Sequence, residues 1–228
     1  MKNKVNRLRV AIDGPAASGK NTLAKQIAKK YKLLHLDSGK LYRYFALQVY
    51  QSKDQKVNYS KLKQALKKLT LKKLKDKKLT TEPVTKIASI ISKKKRIRQL
   101  LKKVQHNLAY NPPKKFKGSV LDGRDIGTVI MPDAHVKVYL TASLNVRAIR
   151  RYKEYKKMRI NTTLAKVKSD IKKRDYEDTH RKISSLKPAK DAVLLDSSFY
   201  NTKAAFAKID EVIRNEIKRL NATKHKSL

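Results

Sequence analysis

No cysteine occurs in the chain, which excludes disulfides and thiolate metal sites. Its histidines stand singly at His35, His106, His135, His180 and His225, a scatter that offers no structural metal centre. No apolar run approaches the length of a membrane span, and no uninterrupted apolar core follows the N-terminal lysines, so a soluble, cytoplasmic protein is expected. Acidic residues are scarce: 18 Asp and Glu stand against 58 Lys and Arg, for a formal charge of +40. That sign suits nucleic acid, an anionic membrane surface or a merely lysine-rich surface. A dedicated nucleic-acid face clusters charge and interleaves aromatics, whereas here lysine is spread over most helical segments and aromatics are only 7% of residues. Most of the charge therefore reads as solvated surface, with no membrane or specific nucleic-acid partner. Any RNA binding should be non-specific and collapse as salt rises.

What is present fits one α/β domain with insertions, since 40% of 228 residues are apolar. A monomer is expected. The chain is organised around Gly14, Pro15, Ala16, Ala17, Ser18, Gly19, Lys20, Asn21 and Thr22. An apolar run, Leu8 to Ile12, precedes this stretch, and Leu23, Ala24, Ile27 and Ala28 follow at helical spacing. Strand, glycine loop and helix in that order form a nest of backbone N–H groups at a positive helix end, a ready polyphosphate site. Lys20 completes the G-x-x-x-x-G-K pattern, with its ammonium in reach of the outer phosphates. It is expected to be an exposed loop lysine. Asn21 occupies the place where a hydroxyl usually meets Mg²⁺, and Thr22 offers one a residue later.

Further buried strands are predicted at Leu33 to Asp37, Ser119 to Asp122, Val136 to Ala142 and Ala192 to Asp196, with helices between them, a rhythm that specifies a parallel sheet. Glycine is absent from Ser52 to Pro113 while lysine dominates, which marks an insertion with helical patterns on either side of Pro83. One carries Leu62, Leu66 and Leu69 on a shared face; the other carries Ile87, Ile90, Ile91, Ile97, Leu101, Val104 and Leu108. Later, Arg147, Arg150 and Arg151 share one side of a helix, and Asp170, Arg174, Asp178 and Arg181 share a face of the next. By spacing alone this second row also suits a surface salt-bridge ladder. Phe206, Ile209, Ile213, Ile217 and Leu220 line a last helix, with a frayed tail expected after Asn221. A phosphate nest with several arginines suits phosphoryl transfer, in which positioning and positive charge do the catalysis. No general base is needed if the acceptor is itself an ionised phosphate.

The runs Ile12-Asp13-Gly14-Pro15 through Lys20, Leu36-Asp37-Ser38-Gly39 with Tyr42-Arg43, and Asp122-Gly123-Arg124-Asp125-Ile126-Gly127-Thr128-Val129 resemble bacterial cytidylate kinases. So do Pro132-Asp133-Ala134, Leu140 to Ser143, Arg147 with Arg150-Arg151, the Arg174 to Arg181 row, Leu186 to Ala189 and Asp191 to Asp196. The resemblance implies a P-loop kinase fold: a five-stranded parallel sheet flanked by helices, with a helical monophosphate-binding insertion and an Arg-rich lid. Within a single domain of residues 1–228, the core is expected at 1–51, 115–146 and 182–228, the insertion at 52–114 and the lid at 147–181. The implied substrates are ATP, with Mg²⁺, and CMP or dCMP. UMP or another small phosphate acceptor, and an RNA- or ribosome-binding role on a kinase fold, are the competing readings.

By resemblance, Ser38, Arg43 and Arg124 contact the monophosphate, with Asp125 a further substrate-side residue. Arg174 and Asp178 contact the sugar, while Ser89, Arg98, Asp122 and Arg181 form the cytosine pocket. Lys20, Arg124, Arg150 and Arg151 are the catalytic set, the last two closing from the lid. Two departures stand out. The family's insertion contains a small β-rich portion, for which Lys72 to Thr81 is short and basic. Ser89 and Arg98 are out of phase on one straight helix, so they meet one base only if the chain breaks near Ser92 to Lys95.

Overall fold

A computed structural model describes residues 7–225, so the N-terminal lysines Lys2 and Lys4 lie outside the described residues. β1 (Leu8–Asp13) is nearly all buried, as expected of a strand covered on both faces. α1 (Lys20–Tyr31) buries Leu23, Ala24, Ile27 and Ala28, and β2 (Leu34–Asp37) follows. After the segment that forms the second unit come β3 (Gly118–Gly123) and β4 (Val136–Thr141). The chain continues through α6 (Leu144–Lys157), α7 (Leu164–His180), β5 (Val193–Asp196) and α8 (Thr202–His225).

Among the described residues, five strands form one sheet in the order β2-β3-β1-β4-β5. β1 pairs in parallel with β3, Ile12 opposite Asp122, and with β4, Ile12 opposite Val138. The chain leaves β1 toward one side of the sheet and later returns to the other. The carboxyl end of β1 is thus the topological switch point, where open α/β sheets hold ligands. Below it, Val10, Ile12, Ile27, Val120, Val138, Leu140, Ile209 and Ile213 share one core that fastens α1 and α8 to the sheet.

The structure corrects two expectations. β5 is not a buried strand: Val193 is 42% and Leu194 67% exposed, because the strand lies at the sheet edge beyond β4. α8 continues past Asn221 to His225.

Residues 37–107 form a second compact unit. It contains α2 (Ser38–Tyr50), α3 (Tyr59–Lys67), α4 (Glu82–Ile91) and most of α5 (Lys95–Tyr110). Asp37 caps α2 by accepting from Lys40 N, Asn58 caps α3 by accepting from Lys61 N, and Pro83 opens α4 where no intrahelical donor is required. Leu62, Leu74, Leu79, Val84, Ala88 and Ile91 are buried, while Ile90 of the apolar seam is 56% exposed. Lys73–Lys75 and Lys77–Thr80 are short 3₁₀ turns, so the basic stretch that lacked a β signal forms no strand. The helix breaks between Ile91 and Lys95.

Candidate active site

The loop between β1 and α1 is fixed from below. A Cβ on Gly14 would lie 1.9 Å from the backbone oxygen of Leu140, so only glycine lets the loop pass over β4. Gly19 turns into α1 at φ 94, and Ala17 adopts φ 58, a left-handed conformation that costs a non-glycine residue about 1–2 kcal/mol. Lys20 corrects the expectation of an exposed lysine. It is buried because its chain folds over its own loop, and Nζ donates to Pro15 O at 2.7 Å and Ser18 Oγ at 3.3 Å. Burial holds its pKa well below the usual lysine value; the charges of Arg124 and Arg174 push the same way, and Asp122 and Asp13 oppose them.

Asp13, at the end of β1, accepts from Ile126 N at 2.8 Å and Gly127 N at 2.7 Å. It thereby anchors the single π-type turn Ile126–Ile130 that follows Arg124 and Asp125. Burial pushes its pKa up to about 6, which the two backbone bonds only partly offset. Between the unfolded value near 3.8 and about 6, the folded state keeps a proton that the unfolded chain has released. The contribution of Asp13 to stability therefore falls as pH rises through that window and is constant above it. Melting curves should show the wild type losing Tm relative to Asp13→Asn from about pH 4 to about pH 6, with a flat difference beyond. A difference that does not change with pH would show that Asp13 titrates as it does in the unfolded chain.

Asp122 and Arg124 stand where β3 ends. Asp122 is buried and its Oδ1 lies 2.7 Å from Nε2 of His35 on β2. Arg124 Nε donates to Asp178 Oδ2 at 2.7 Å, and Arg181 Nη1 reaches Asp178 Oδ1 at 3.2 Å. Burial opposes ionisation of Asp178, but the adjoining guanidiniums of Arg124, Arg174 and Arg181 hold its pKa below the usual carboxylate value. The Arg174 row is thus more than a ladder along its own helix surface: besides its i,i+3 pair with Arg181, Asp178 binds across to the end of β3. Asp125 is buried too.

Arg150 donates to Ser197 O at 2.8 Å, Ser197 Oγ at 3.0 Å and Ser18 O at 3.4 Å. Arg151 pairs with Glu154 at 2.9 Å on the surface of α6. The two neighbours therefore face different partners, one the phosphate-loop backbone and the other a surface carboxylate. Arg147, not among the predicted site residues, is buried against the loop.

In the second unit, Ser38 is buried and Arg43 Nη2 donates to Asp37 Oδ2 at 2.9 Å. Arg98, also buried, donates to Ser92 O at 3.2 Å and lies 5.5 Å from the centre of the Tyr42 ring. Ser92 in turn donates to Ser89 O at 2.8 Å. The helix break that the Ser89 and Arg98 spacing demands is thus closed by bonds between these same two neighbourhoods.

A family model described as cytidylate kinase matches residues 10–218. The chain belongs to the cytidylate kinase family. The cytidylate kinase of Streptococcus mutans is 38% identical over 93% of this chain and 98% of its own length. That of Bradyrhizobium diazoefficiens is 45% identical over 83% and 87%. A crystal structure of an uncharacterized protein from Eubacterium ventriosum shares the fold, with a TM-score of 0.53, 13% identity, and coverage of 91% of this chain and 98% of that one.

Within this cytidylate kinase framework, four residues of the site besides Arg147 carried no signal in the sequence. Asp13 lies in the run Ile12 to Lys20, where nothing marks it as the anchor of the turn after Arg124. His35 was only one of several single histidines. Ser197 follows the last strand without a motif of its own. Asp175 sits beside Arg174, one position off the row that drew attention. Each acts through a partner 47 to 159 residues away, a distance at which residue spacing carries no signal.

Proposed function

We propose that this protein transfers the γ-phosphoryl group of ATP to CMP, giving ADP and CDP, and that dCMP is also an acceptor. The observation that carries this reading is the set of cations at the switch point: Lys20 folds over the phosphate loop, and the guanidiniums of Arg124 and Arg174 lie close enough for their charges to bear on its ammonium. In such a site the loop N–H groups and the N-terminus of α1 hold the donor polyphosphate, with Lys20 on its outer oxygens. Arg124 and Arg43, with Ser38, hold the acceptor phosphate. An ionised acceptor oxygen attacks the γ-phosphorus, the bond to the ADP oxygen breaks, and no proton need move. Arg150 and Arg151 add charge from the lid side, and exclusion of water keeps ATP from hydrolysis.

Mg²⁺ would meet the amide of Asn21 or the hydroxyl of Thr22 at the start of α1. Among the described residues no group of three His, Cys, Asp or Glu side chains forms a metal cage, so the ion is expected to travel with the phosphates, whose charge it screens.

Arg174 and Asp178 serve the sugar in this reading, and Ser89, Arg98, Asp122 and Arg181 the base. Cytosine offers an amine donor where uracil offers a carbonyl, and a carboxylate accepts only from the former. Asp122→Asn is therefore expected to lower kcat/KM for CMP by about 100-fold while that for UMP holds or rises. A parallel loss with both acceptors, together with a raised Mg²⁺ requirement, would assign Asp122 to the metal instead. The function itself is tested by assaying ADP release with CMP, dCMP, UMP, AMP and shikimate, with CMP and dCMP expected to lead.

A further inference from the structure

One peptide segment of the phosphate loop is gripped from both sides by the two helices that follow β4. Ala16 N donates to Asp175 Oδ1 of α7 at 3.1 Å, while Arg147 Nη1 of α6 donates to Ala16 O at 3.2 Å. The same Nη1 bonds to Asp175 Oδ2, and Arg147 Nε donates to Ala142 O at 2.8 Å. Around this grip, Ala148, Val167 and Ile171 pack on Ala16, with Ala17, Leu144, Tyr152 and Tyr155 at the edge. Immediately after the gripped residue comes Ala17 in its left-handed conformation. Such a conformation persists in a non-glycine residue only where the surroundings impose it.

The geometry points to Asp175 and Arg147 as positioning residues: a clasp that holds the Ala16 peptide, and through it the left-handed turn at Ala17, so that the following N–H groups face the donor phosphates. Neither side chain acts on a reacting atom in this role. Asp175 is not a carboxylate that merely occupies a phosphate position. Arg147 is 9% exposed and Asp175 18%, so withdrawing Asp175 to admit a nucleotide would give up a largely buried ion pair together with the bond from Ala16 N, which is unfavourable. The apolar packing of α6 and α7 on the same loop residue keeps the grip in place.

The two roles differ in sign. A clasp that shapes the nest strengthens nucleotide binding, so loosening it weakens binding; a carboxylate that occupies the nest competes with nucleotide, so its removal tightens binding. ADP affinity, read by calorimetry without acceptor, decides between them. This inference rests on the proposed donor site, and the ADP measurement stands whichever acceptor the enzyme takes. Asp175→Ala is expected to weaken ADP binding by about tenfold. Asp175→Asn, whose amide oxygen still accepts from Ala16 N, should weaken it less. The KM for CMP should change less than ADP affinity in both, since Asp175 reaches the acceptor side only through its charge on Arg124, and the effects of Asp175→Ala and Arg147→Ala should be less than additive in the double variant. If Asp175→Ala fails to fold, Asp175→Asn alone decides. ADP affinity that is unchanged or tighter overturns the proposal, as does an equal loss for ADP and CMP, which would mark a purely structural pair. If wild type binds ADP but turns over no CMP, the functional reading fails and the clasp is still judged by ADP.

Discussion

Replacing Lys20 by methionine is expected to lower kcat about a thousandfold while leaving Tm at or above the wild-type value. The two halves of this expectation come from one observation. Lys20 is buried over its own loop, and burial together with Arg124 and Arg174 disfavours its charge. A lysine whose folded pKa is depressed opposes folding at neutral pH, since the unfolded chain binds the proton more readily. Methionine keeps the length and removes that cost. The developing charge on the transferring phosphoryl group, however, would then meet one cation fewer, at a buried position where charge counts most. Turnover and melting measured on the same preparation check both halves. A variant that keeps its turnover would remove Lys20 from catalysis, and one that melts well below wild type would show that the buried lysine holds the loop together.

Arg124→Ala should raise the KM for CMP and lower kcat/KM by about 100-fold or more, with little effect on ADP binding. Arg124 is the cation nearest the end of β3, and Asp178 fixes its guanidinium through Nε, so it is preorganised before any anion arrives. Its removal leaves Asp178 still paired with Arg181, and the fold should survive. Arg124→Lys keeps the charge without the planar two-point geometry and should recover only part of the loss. Steady-state kinetics with each substrate varied in turn reads this directly. A defect confined to ATP would move Arg124 from the acceptor side to the donor side.

Features encoded locally were legible before the fold was known. The loop from Gly14 to Lys20 lies between an apolar strand and an amphipathic helix, and both signals fall within a few residues of each other. The break between α4 and α5 was legible for a different reason, since Ser89 and Arg98 face apart on a continuous helix. The burial of Lys20 was not legible, because a lysine in a glycine loop carries no sign that it will fold back on Pro15. Nor was the exposure of Val193 and Leu194: an apolar run looks the same in a central strand and at an edge, and only the strand order separates them. The partners of Asp13, Arg147 and Asp175 are brought together by the sheet and by the helices after β4. In the sequence, Arg147 belongs to one helical row and Asp175 lies one position off another, and the clasp exists only where their two helices meet the phosphate loop.

The account turns on where the γ-phosphoryl group goes. ATP labelled in its γ-phosphate, incubated with the protein, Mg²⁺ and CMP, is predicted to pass its label to CDP, with no more than a trace released as inorganic phosphate. Label that appears as inorganic phosphate, or that passes to UMP in preference to CMP when both are supplied, would contradict it.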